Sequence, residues 1–201
     1  PLPMFTSCCP AWVKHAEIAY PHMLPYVSSC KSPQQMMGAM VKSYYAEKYH
    51  IDPEKIFMVS IMPCTAKKFE YHRPELGHQH PDVDAVLTTR ELARIIKMGG
   101  YHLPQLPESD DDAVLGESTG SADIFGNTGG VMEAALRTAF FNLTGKLMPN
   151  LNIYEVRGNK NIKAAEVEIN GQTIKVAVVN GIGNIDPIMK DIEAGISPYS
   201  F

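Results

Sequence analysis

Apolar positions in the first fifty residues follow a helical period, and proline marks where each helix begins. Proline fits the first helical turn because its missing N–H needs no partner there, which predicts a helix over Pro10–Ala19. The residue before a proline is driven to an extended conformation, so Cys9 should cap this helix. Ser32 and Pro33 give the same signal for a second helix that runs to about Tyr49. The predicted buried stripe of this second helix consists of Met36, Met37, Met40, Val41, Tyr44 and Tyr45.

Two short apolar runs follow, and both are rich in residues that favour β-strands. Ile56–Met62 predicts a buried strand that ends at Pro63-Cys64, and Val83–Leu87 predicts another. Thr88-Thr89-Arg90-Glu91 has the spacing of a capping box, which predicts that a helix begins here and ends at Gly99-Gly100.

The second half of the chain combines a polar loop, helices and a hairpin. Leu103–Gly130 is rich in Pro, Asp, Ser and Gly, which indicates a loop, whereas Asn170-Gly171 is a strong hairpin-turn signal. The other predicted elements are a helix over Val131–Leu143 that ends before Gly145, strands over Ile153–Val156, Ala165–Ile169 and Thr173–Val179, and a last helix over Asn184–Ala194. Because strands and helices alternate, we expect an α/β fold with parallel or mixed sheets, flanking helices and one added hairpin.

The composition excludes several classes of protein. At 201 residues the chain is long enough for one sizeable domain or two fused lobes, and its 45% hydrophobic and 20% charged residues exclude a disordered tail, a collagen-like fibre and a coiled coil. No apolar run approaches the roughly 18 residues that a membrane-spanning helix needs. The 18 basic residues are scattered and the formal net charge is −4, so we expect no nucleic-acid surface.

The two ends of the sequence resemble the interior of a protein. The chain begins Pro1-Leu2-Pro3-Met4, without a start methionine or signal peptide, and it stops at Pro198-Tyr199-Ser200-Phe201 within apolar sequence. We therefore expect an internal part of a longer protein, truncated at both ends. On that expectation, a missing targeting signal says nothing about the compartment.

The four cysteines do not form a familiar structural framework. Four cysteines in a chain with a large core do not suggest a disulfide-rich secreted domain, and a bridge between the neighbours Cys8 and Cys9 would be strained. Zinc-site spacings of the CxxC and HxxxH type are absent. The remaining possibilities are thiolates held for metal or redox chemistry and inert buried thiols. The second is the simpler interpretation of Cys30.

The first segment with a chemical signal is Thr6–Trp12, which carries the adjacent cysteines. Neighbouring side chains in an extended stretch point to opposite sides, so one thiol can bind a metal while the other faces a different cavity. Both precede a helix, whose N–H groups and dipole lower a thiol pKa and can donate to cluster sulfurs. A coincidental pair in the core is the alternative.

The second segment is Met62–Glu70, where Cys64 follows a strand and Lys67 comes three residues later. Ligands bind at the carboxyl ends of strands in α/β sheets, and a nearby ammonium stabilises a thiolate or an anionic ligand. The alternative is a strand-end cysteine beside two solvated lysines, Lys67 and Lys68.

Together these segments resemble two of the three signature motifs in the catalytic domain of FeFe-hydrogenases. Further family-like blocks extend the resemblance across nearly the whole chain. They are Ser32-Pro33-Gln34-Gln35, the run Asp84–Leu92, Gly116-Glu117-Ser118, Ile124-Phe125-Gly126, the run Gly129–Arg137 and Val156-Arg157-Gly158.

The resemblance implies an H-cluster, in which a 4Fe–4S cubane is joined through a cysteine sulfur to a two-iron subcluster with CO, cyanide and a bridging dithiolate amine. It implies that Cys9 and Cys64 are cubane ligands and that Cys8 is the thiol that passes protons. Lys67 would hydrogen-bond to an iron-bound cyanide and stabilise its charge. Residues implied around the two-iron subcluster are Met62, Pro33, Gln34 and Phe125, with Ser28 relaying protons towards Cys8.

The implied activity is the reversible oxidation of H2 to protons and electrons. A metal site accepts the hydride, a base takes the proton, and the cubane exchanges electrons with a carrier of the ferredoxin or cytochrome c type. The family also requires maturation proteins that assemble the cofactor. The resemblance leaves the compartment open, either cytoplasmic or periplasmic.

One family feature is missing from the sequence. The third motif, a cysteine- and glycine-rich segment that supplies the last two cubane ligands, would follow soon after the region of Asn184–Phe201. Cys30 does not stand where the family needs a ligand, so we expect a partial H-cluster domain that is inactive by itself. Two alternatives are a non-catalytic iron–sulfur assembly protein and a sensory hydrogenase. A protein without the two-iron subcluster would have no evident use for Cys8 and Lys67.

Overall fold

The computed structural model describes residues 2–77, 80–112, 114–116, 120–148, 154–155 and 161–200. The family-like residues 117–118 and 156–158 lie outside this range, as do both ends of the strand expected over Ile153–Val156. None of the helices in these described ranges is long and apolar enough to cross a membrane.

The expected α/β fold is confirmed, and the chain forms two compact units. We call Ser7–Pro21 with Ser29–Gly116 the cysteine unit. We call Pro1–Thr6, His22–Ser28 and Glu117–Phe201 the hairpin unit.

The cysteine unit contains short helices and a small parallel sheet. Its elements are α1 (Pro10–Ala19), α2 (Pro33–Met40), a π-helical turn (Val41–Tyr45), α3 (Ala46–Lys48), β1 (Val59–Ile61), α4 (Lys67–Glu70), β2 (Ala85–Leu87), α5 (Thr89–Met98) and 3₁₀ turns at Pro53–Lys55 and Leu103–Gln105. The N-terminal signals explain two of these helices. Cys9 is the extended N-cap of α1, as predicted, and Pro10 takes its first turn. Thr88 and Glu91 form the predicted capping box of α5, and Gly99 ends that helix.

The predicted buried stripe of the second helix is largely wrong. Val41 is buried and Tyr45 half-buried, but the exposed members of the stripe are Met36, Met37, Met40 and Tyr44. The buried face of α2 consists of Gln34, Gln35 and Gly38. Gln34 is buried in this face because it belongs to a buried hydrogen-bond network with Glu70 and Ser60. Gly38 lies against the backbone of Asp82. A Cβ atom added at Gly38 would stand 2.2 Å from the Asp82 carbonyl oxygen.

Strand β1 is also shorter and more polar inside than the sequence predicted. It pairs in parallel with β2 in the register Val59 to Ala85 and Ile61 to Leu87. Val59 and Ile61 are 40% and 44% exposed, whereas Ser60 between them is 8% exposed. The inward position is therefore polar. The expectation of a buried strand over Ile56–Met62 is therefore wrong in its length and for the side chains of Val59 and Ile61.

The hairpin unit is built on an antiparallel sheet in the order β3–β4–β5. Its elements are α6 (Ser121–Phe125), α7 (Gly130–Thr144), β3 (Tyr154–Glu155), β4 (Ile162–Ile169), β5 (Gln172–Val179), a 3₁₀ turn (Ile182–Asn184), α8 (Asp186–Glu193) and most of the 3₁₀ helix Pro21–Tyr26. The short helix α6 lies inside the segment that the sequence predicted as loop.

Turn chemistry and apolar packing explain the hairpin unit. Asn170 and Gly171 have φ values of 51° and 79°, as a two-residue hairpin turn of type I′ requires, so this prediction is confirmed. Helix α7 packs on β4, and the buried cluster consists of Met148, Val167 and Ile169, with Leu136, Phe140 and Ile174 against it.

Candidate functional site

The two cysteine segments meet in the cysteine unit through Lys67. Its ammonium group donates a hydrogen bond of 2.6 Å to the carbonyl oxygen of Cys8. Cys8 stands just before the N-terminus of α1, and Lys67 begins α4, which packs against α1. The structure therefore brings together the two segments that carried the chemical signal in the sequence.

The cysteine thiols differ in exposure. Cys8 is half-buried, and Cys9, Cys30 and Cys64 are exposed, and none of the four forms a disulfide. Cys9 precedes α1, and Cys64 lies in the turn that leads into α4. Within the described ranges, no group of three or more Cys, His, Asp and Glu side chains is arranged to hold a metal ion. Cys9 and Cys64 thus provide two accessible sulfur ligands rather than a complete metal site.

Lys67 is buried together with the carboxylate of Glu70, although lysine and glutamate side chains are rarely buried in proteins. Lys67 and Glu70 are 5% and 4% exposed, and the Lys67 Nζ lies 3.2 Å from the Glu70 Oε2. A buried charge is tolerated when it is paired and hydrogen-bonded, and both conditions hold here. This pairing keeps a positive charge next to the backbone of Cys8.

Glu70 connects this ion pair to the beginning of α2. Its Oε2 accepts hydrogen bonds from the Ser32 hydroxyl at 2.8 Å and from the Gln34 amide nitrogen at 2.6 Å. The Gln34 amide oxygen in turn accepts a hydrogen bond of 2.8 Å from the Ser60 hydroxyl in β1. We call Ser32, Gln34, Ser60, Lys67 and Glu70 the polar network; all five are buried.

The polar network shows that the cap expected from Ser32 does not form, and it contains two residues, Glu70 and Ser60, that the sequence did not single out. Ser32 occupies the N-cap position of α2, as predicted, but its side chain makes no cap and donates to Glu70 instead. Sequence reasoning assigned no role to Glu70 or Ser60. The signal for Glu70 was its position three residues after Lys67, where the two side chains share one helix face. Ser60 gave no signal, because the sequence of an apolar run does not tell which side chains of the strand point into the interior.

The remaining predicted site residues fall into both units. Met62 is half-buried directly after β1, and its backbone N–H donates to the Leu87 carbonyl at 2.9 Å. Pro33 is half-buried in the first turn of α2, beside Gln34. Ser28 and Phe125 belong to the hairpin unit, where Ser28 is half-buried and Phe125 is 39% exposed at the end of α6.

Charged side chains fix α1 against the segment that follows α4. The Arg73 guanidinium lies 2.5 Å from a carboxylate oxygen of Glu17 in α1. This hydrogen bond from Arg73, assisted by Lys14, holds the pKa of Glu17 below its usual value although partial burial opposes the shift. The ion pair is another connection between α1, which follows the cysteine pair, and the chain just after the second cysteine segment.

A second lysine–glutamate pair lies next in sequence on the surface. The Lys68 ammonium is 2.7 Å from a carboxylate oxygen of Glu91, and both side chains are 38% exposed. The hydrogen bond from Lys68, followed by those from Thr88, lowers the pKa of Glu91 to about 2. The adjacent lysines therefore differ in environment: Lys67 is in the interior and Lys68 is at the surface.

Comparison with known proteins identifies the family. The family model described as the C-terminal domain of the iron-only hydrogenase large subunit matches residues 1–201. The chain belongs to this family. The resemblance seen in the sequence is thereby confirmed.

Hydrogenases and assembly proteins both occur among the curated relatives. The periplasmic Fe hydrogenase large subunit of Nitratidesulfovibrio vulgaris is 52% identical, over 100% of this chain and 48% of that protein. Iron hydrogenase 1 of Clostridium pasteurianum is 46% identical, over 100% of this chain and 35% of that protein. Cytosolic iron-sulfur assembly component 3 of Pongo abelii is 34% identical, over 100% of this chain and 44% of that protein. The chain spans about half or less of the length of these relatives.

Solved structures of the family have the same fold. A structure of apo FeFe-hydrogenase from Chlamydomonas reinhardtii matches with a TM-score of 0.85 and 42% identity, over 100% of this chain and 58% of that chain. The fold expected from the sequence, an α/β arrangement like that of the iron hydrogenases, is confirmed.

Proposed function

We propose that the chain is part of the catalytic H-cluster domain of an FeFe-hydrogenase that interconverts H2 with protons and electrons. The observation that supports this most strongly is the buried ammonium of Lys67 on the carbonyl of Cys8. It places a cation suited to an anionic iron ligand on the backbone of the residue whose thiol is proposed to transfer protons. The 52% identity with a named hydrogenase over the whole chain supports the same conclusion.

The donor set fits an H-cluster in part. Iron–sulfur clusters are held by cysteine thiolates, and Cys9 and Cys64 are accessible thiols on the two connected segments. We propose these as two of four cubane ligands, with the other two supplied by sequence outside this chain. The Lys67 ammonium has three N–H donors and, within the described ranges, three acceptor contacts, one to the Cys8 carbonyl and two longer ones, of 3.2 and 3.3 Å, to the two oxygens of Glu70. If the two long contacts share one N–H group, one donor would be left for an anionic ligand.

The proposed cofactor is a 4Fe–4S cubane with a two-iron subcluster that carries CO, cyanide and a bridging dithiolate. When bound, it supplies the metal chemistry that splits and forms H2 and transfers the electrons. The Lys67 ammonium holds a cyanide by a charge-assisted hydrogen bond. Met62, Pro33 and Gln34 of the cysteine unit would contact the subcluster and exclude water from it, and the same role is proposed for Phe125 on the family resemblance alone.

The proton is proposed to travel through Cys8. A thiol exchanges a proton near neutral pH more readily than a hydroxyl, and Cys8 is half-buried, between the interior and the surface. Ser28 relays the proton onward in this proposal. Electrons pass to a carrier of the ferredoxin or cytochrome c type, and maturation proteins load the cofactor.

A second candidate function is iron–sulfur assembly without hydrogen chemistry. It is favoured by the 34% identity with a cytosolic iron–sulfur assembly component over the full length of this chain. Such a protein needs cluster ligands but has no use for a proton-transferring thiol or a cyanide-binding ammonium. Cys8 and Lys67 therefore favour the hydrogenase.

The experiment is anaerobic expression of the whole reading frame that encodes this chain, with and without hydrogenase maturation proteins. The proposal expects infrared bands of CO and cyanide, together with hydrogen evolution from a reduced electron carrier, only in the matured protein. A protein that binds iron–sulfur clusters but gains neither the bands nor the activity would support the assembly function instead.

A further inference from the structure

The carboxylate of Glu70 has no role in the function proposed so far, yet it is the most connected side chain of the polar network. Its side chain is 6% exposed. Burial of a carboxylate is unfavourable unless charges and hydrogen bonds compensate for the lost water. The partners of Glu70 therefore indicate what the buried charge does.

The donors to Glu70 come from two separate parts of the cysteine unit. Ser32 and Gln34 donate from the beginning of α2, and Lys67 donates from the first residue of α4, at 3.2 Å to Oε2 and 3.3 Å to Oε1. The Gln34 amide is itself oriented by Ser60. Because three neutral or charged donors converge on it, the carboxylate has a fixed position before any ligand binds.

A fixed carboxylate restricts the Lys67 side chain. A lysine has a flexible four-carbon stem, and its ammonium would otherwise sample several positions. The contact with Glu70 on one side and the 2.6 Å hydrogen bond to the Cys8 carbonyl on the other hold the Nζ between two anchors. The position of the ammonium, and so the directions of its N–H groups, is then fixed.

We propose that Glu70 is a positioning residue of the site: its buried carboxylate, held by Ser32 and Gln34, fixes the Lys67 ammonium between the two cysteine segments. This inference rests on the proposed function in one respect: that function supplies the identity of the ligand that Lys67 binds, an anionic diatomic ligand of iron. It extends that function by one residue, which acts through Lys67 and does not touch the cofactor.

The chain contains a matched control. Lys68 and Glu91 form the next ion pair in sequence with a similar separation of 2.7 Å, but at the surface. Glu91→Gln removes the same charge as Glu70→Gln and keeps a residue that can complete the capping box. Glu91 contacts Lys68 and Thr88 rather than any member of the polar network, so we expect this control to leave the site unchanged.

The first measurement uses the matured full-length protein and the infrared stretching frequencies of cyanide. Glu70→Gln should shift a cyanide frequency and lower turnover roughly 10- to 100-fold, because a small displacement of a positioned group has effects of this size. Glu91→Gln should change neither. Unchanged cyanide frequencies in Glu70→Gln would overturn the proposal.

The second measurement needs no cofactor. In the iron-free full-length protein, Glu70→Gln should raise amide hydrogen exchange about tenfold or more in residues 7–11 and 32–36, whereas Glu91→Gln should not. Exchange equal to that of the control would show that Glu70 does not hold these segments. This readout remains valid if the protein never acquires a two-iron subcluster, so failure of the proposed function and failure of this inference are distinguishable.

A double variant separates positioning from general stability and covers the case in which Glu70→Gln does not fold. Lys67→Met with Glu70→Gln removes both buried charges together, which proteins tolerate better than the loss of one. If Glu70 acts through Lys67, the double variant should have the cyanide frequencies of Lys67→Met alone and a turnover within about twofold of it. A further shift or loss would overturn the proposal.

Discussion

The ammonium of Lys67 and the backbone carbonyl of Cys8 are joined by a hydrogen bond of 2.6 Å across 59 positions of the chain. Both groups lie in the cysteine unit, at the beginnings of α4 and α1. The contact is to the backbone carbonyl of Cys8, so it fixes where the Cys8 segment lies without using the thiol as an acceptor. A thiol that transfers protons needs a fixed position, and this contact supplies one for the Cys8 backbone.

Cys8→Ser should leave the cofactor assembled and nearly abolish turnover. The hydroxyl has almost the same shape, but it ionises far less readily than a thiol and so transfers protons poorly near neutral pH. The measurement is hydrogen evolution by the matured full-length protein, with iron content and infrared bands as the test of assembly. Cys30→Ser, at an exposed cysteine with no proposed role, is the control. Turnover near the wild-type rate in Cys8→Ser would contradict the proton-relay assignment.

Cys9→Ala and Cys64→Ala should each prevent stable binding of the cubane. Cluster affinity depends on the full set of thiolates, and alanine offers no ligand. Iron and sulfide content and the visible absorption of the reconstituted protein measure the loss, and Cys30→Ala should retain both. If either variant binds the cluster as the wild type does, that cysteine is not a ligand.

Because of Glu91 in the capping box of α5, the free energy of unfolding should depend on pH in the acid range. The pKa of Glu91 is lowered from its ordinary 4.5 to about 2, first by the hydrogen bond from Lys68. The ionised form thus stabilises the folded state above pH 4.5, and this contribution is lost as the pH falls through about 2. The wild type should therefore be more stable to unfolding than Glu91→Gln above pH 4.5, and this difference in the free energy of unfolding should shrink as the pH falls from 4.5 to about 2. The change with pH should be smaller at high salt, because salt screens the charges. A difference that is constant with pH would show that the Glu91 charge does not contribute.

Gly38→Ala should destabilise the cysteine unit. The new Cβ atom would meet the Asp82 carbonyl oxygen at 2.2 Å, so α2 must move away from the loop before β2. Overpacking of this kind costs about 1–3 kcal/mol. Gly126→Ala is the control, because its φ of −70° suits alanine and no atom lies within 4 Å of the added Cβ. Chemical unfolding measures both variants, and equal stabilities would show that the Gly38 contact relaxes freely.

The sequence predicted elements well where local chemistry decides them. The helix beginning at Pro10, the capping box at Thr88 and the turn at Asn170-Gly171 depend on neighbouring residues, and the structure confirms all three. These signals need no knowledge of distant contacts. Proline at a first turn, a reciprocal cap and a pair of residues with positive φ are each determined within four residues.

The sequence failed where the interior is polar. Apolar periodicity placed Met36 and Met40 inside, whereas the structure buries Gln34 and Gln35 on α2 and Ser60 on β1. A hydropathy pattern assigns polar residues to the surface, so it cannot find a helix face that packs on a buried carboxylate. The same limit hid the role of Glu70.

Hydrogen isotope exchange measures the proposed reaction of H2 without any redox partner. The full-length protein, matured anaerobically, is incubated with H2 in D2O without any electron carrier, and HD is measured by mass spectrometry. The account predicts HD formation that depends on maturation and is nearly lost in Cys8→Ser, because heterolytic cleavage and proton exchange need no redox partner. A matured, iron-loaded protein that forms no HD would contradict a hydrogenase and favour an assembly function.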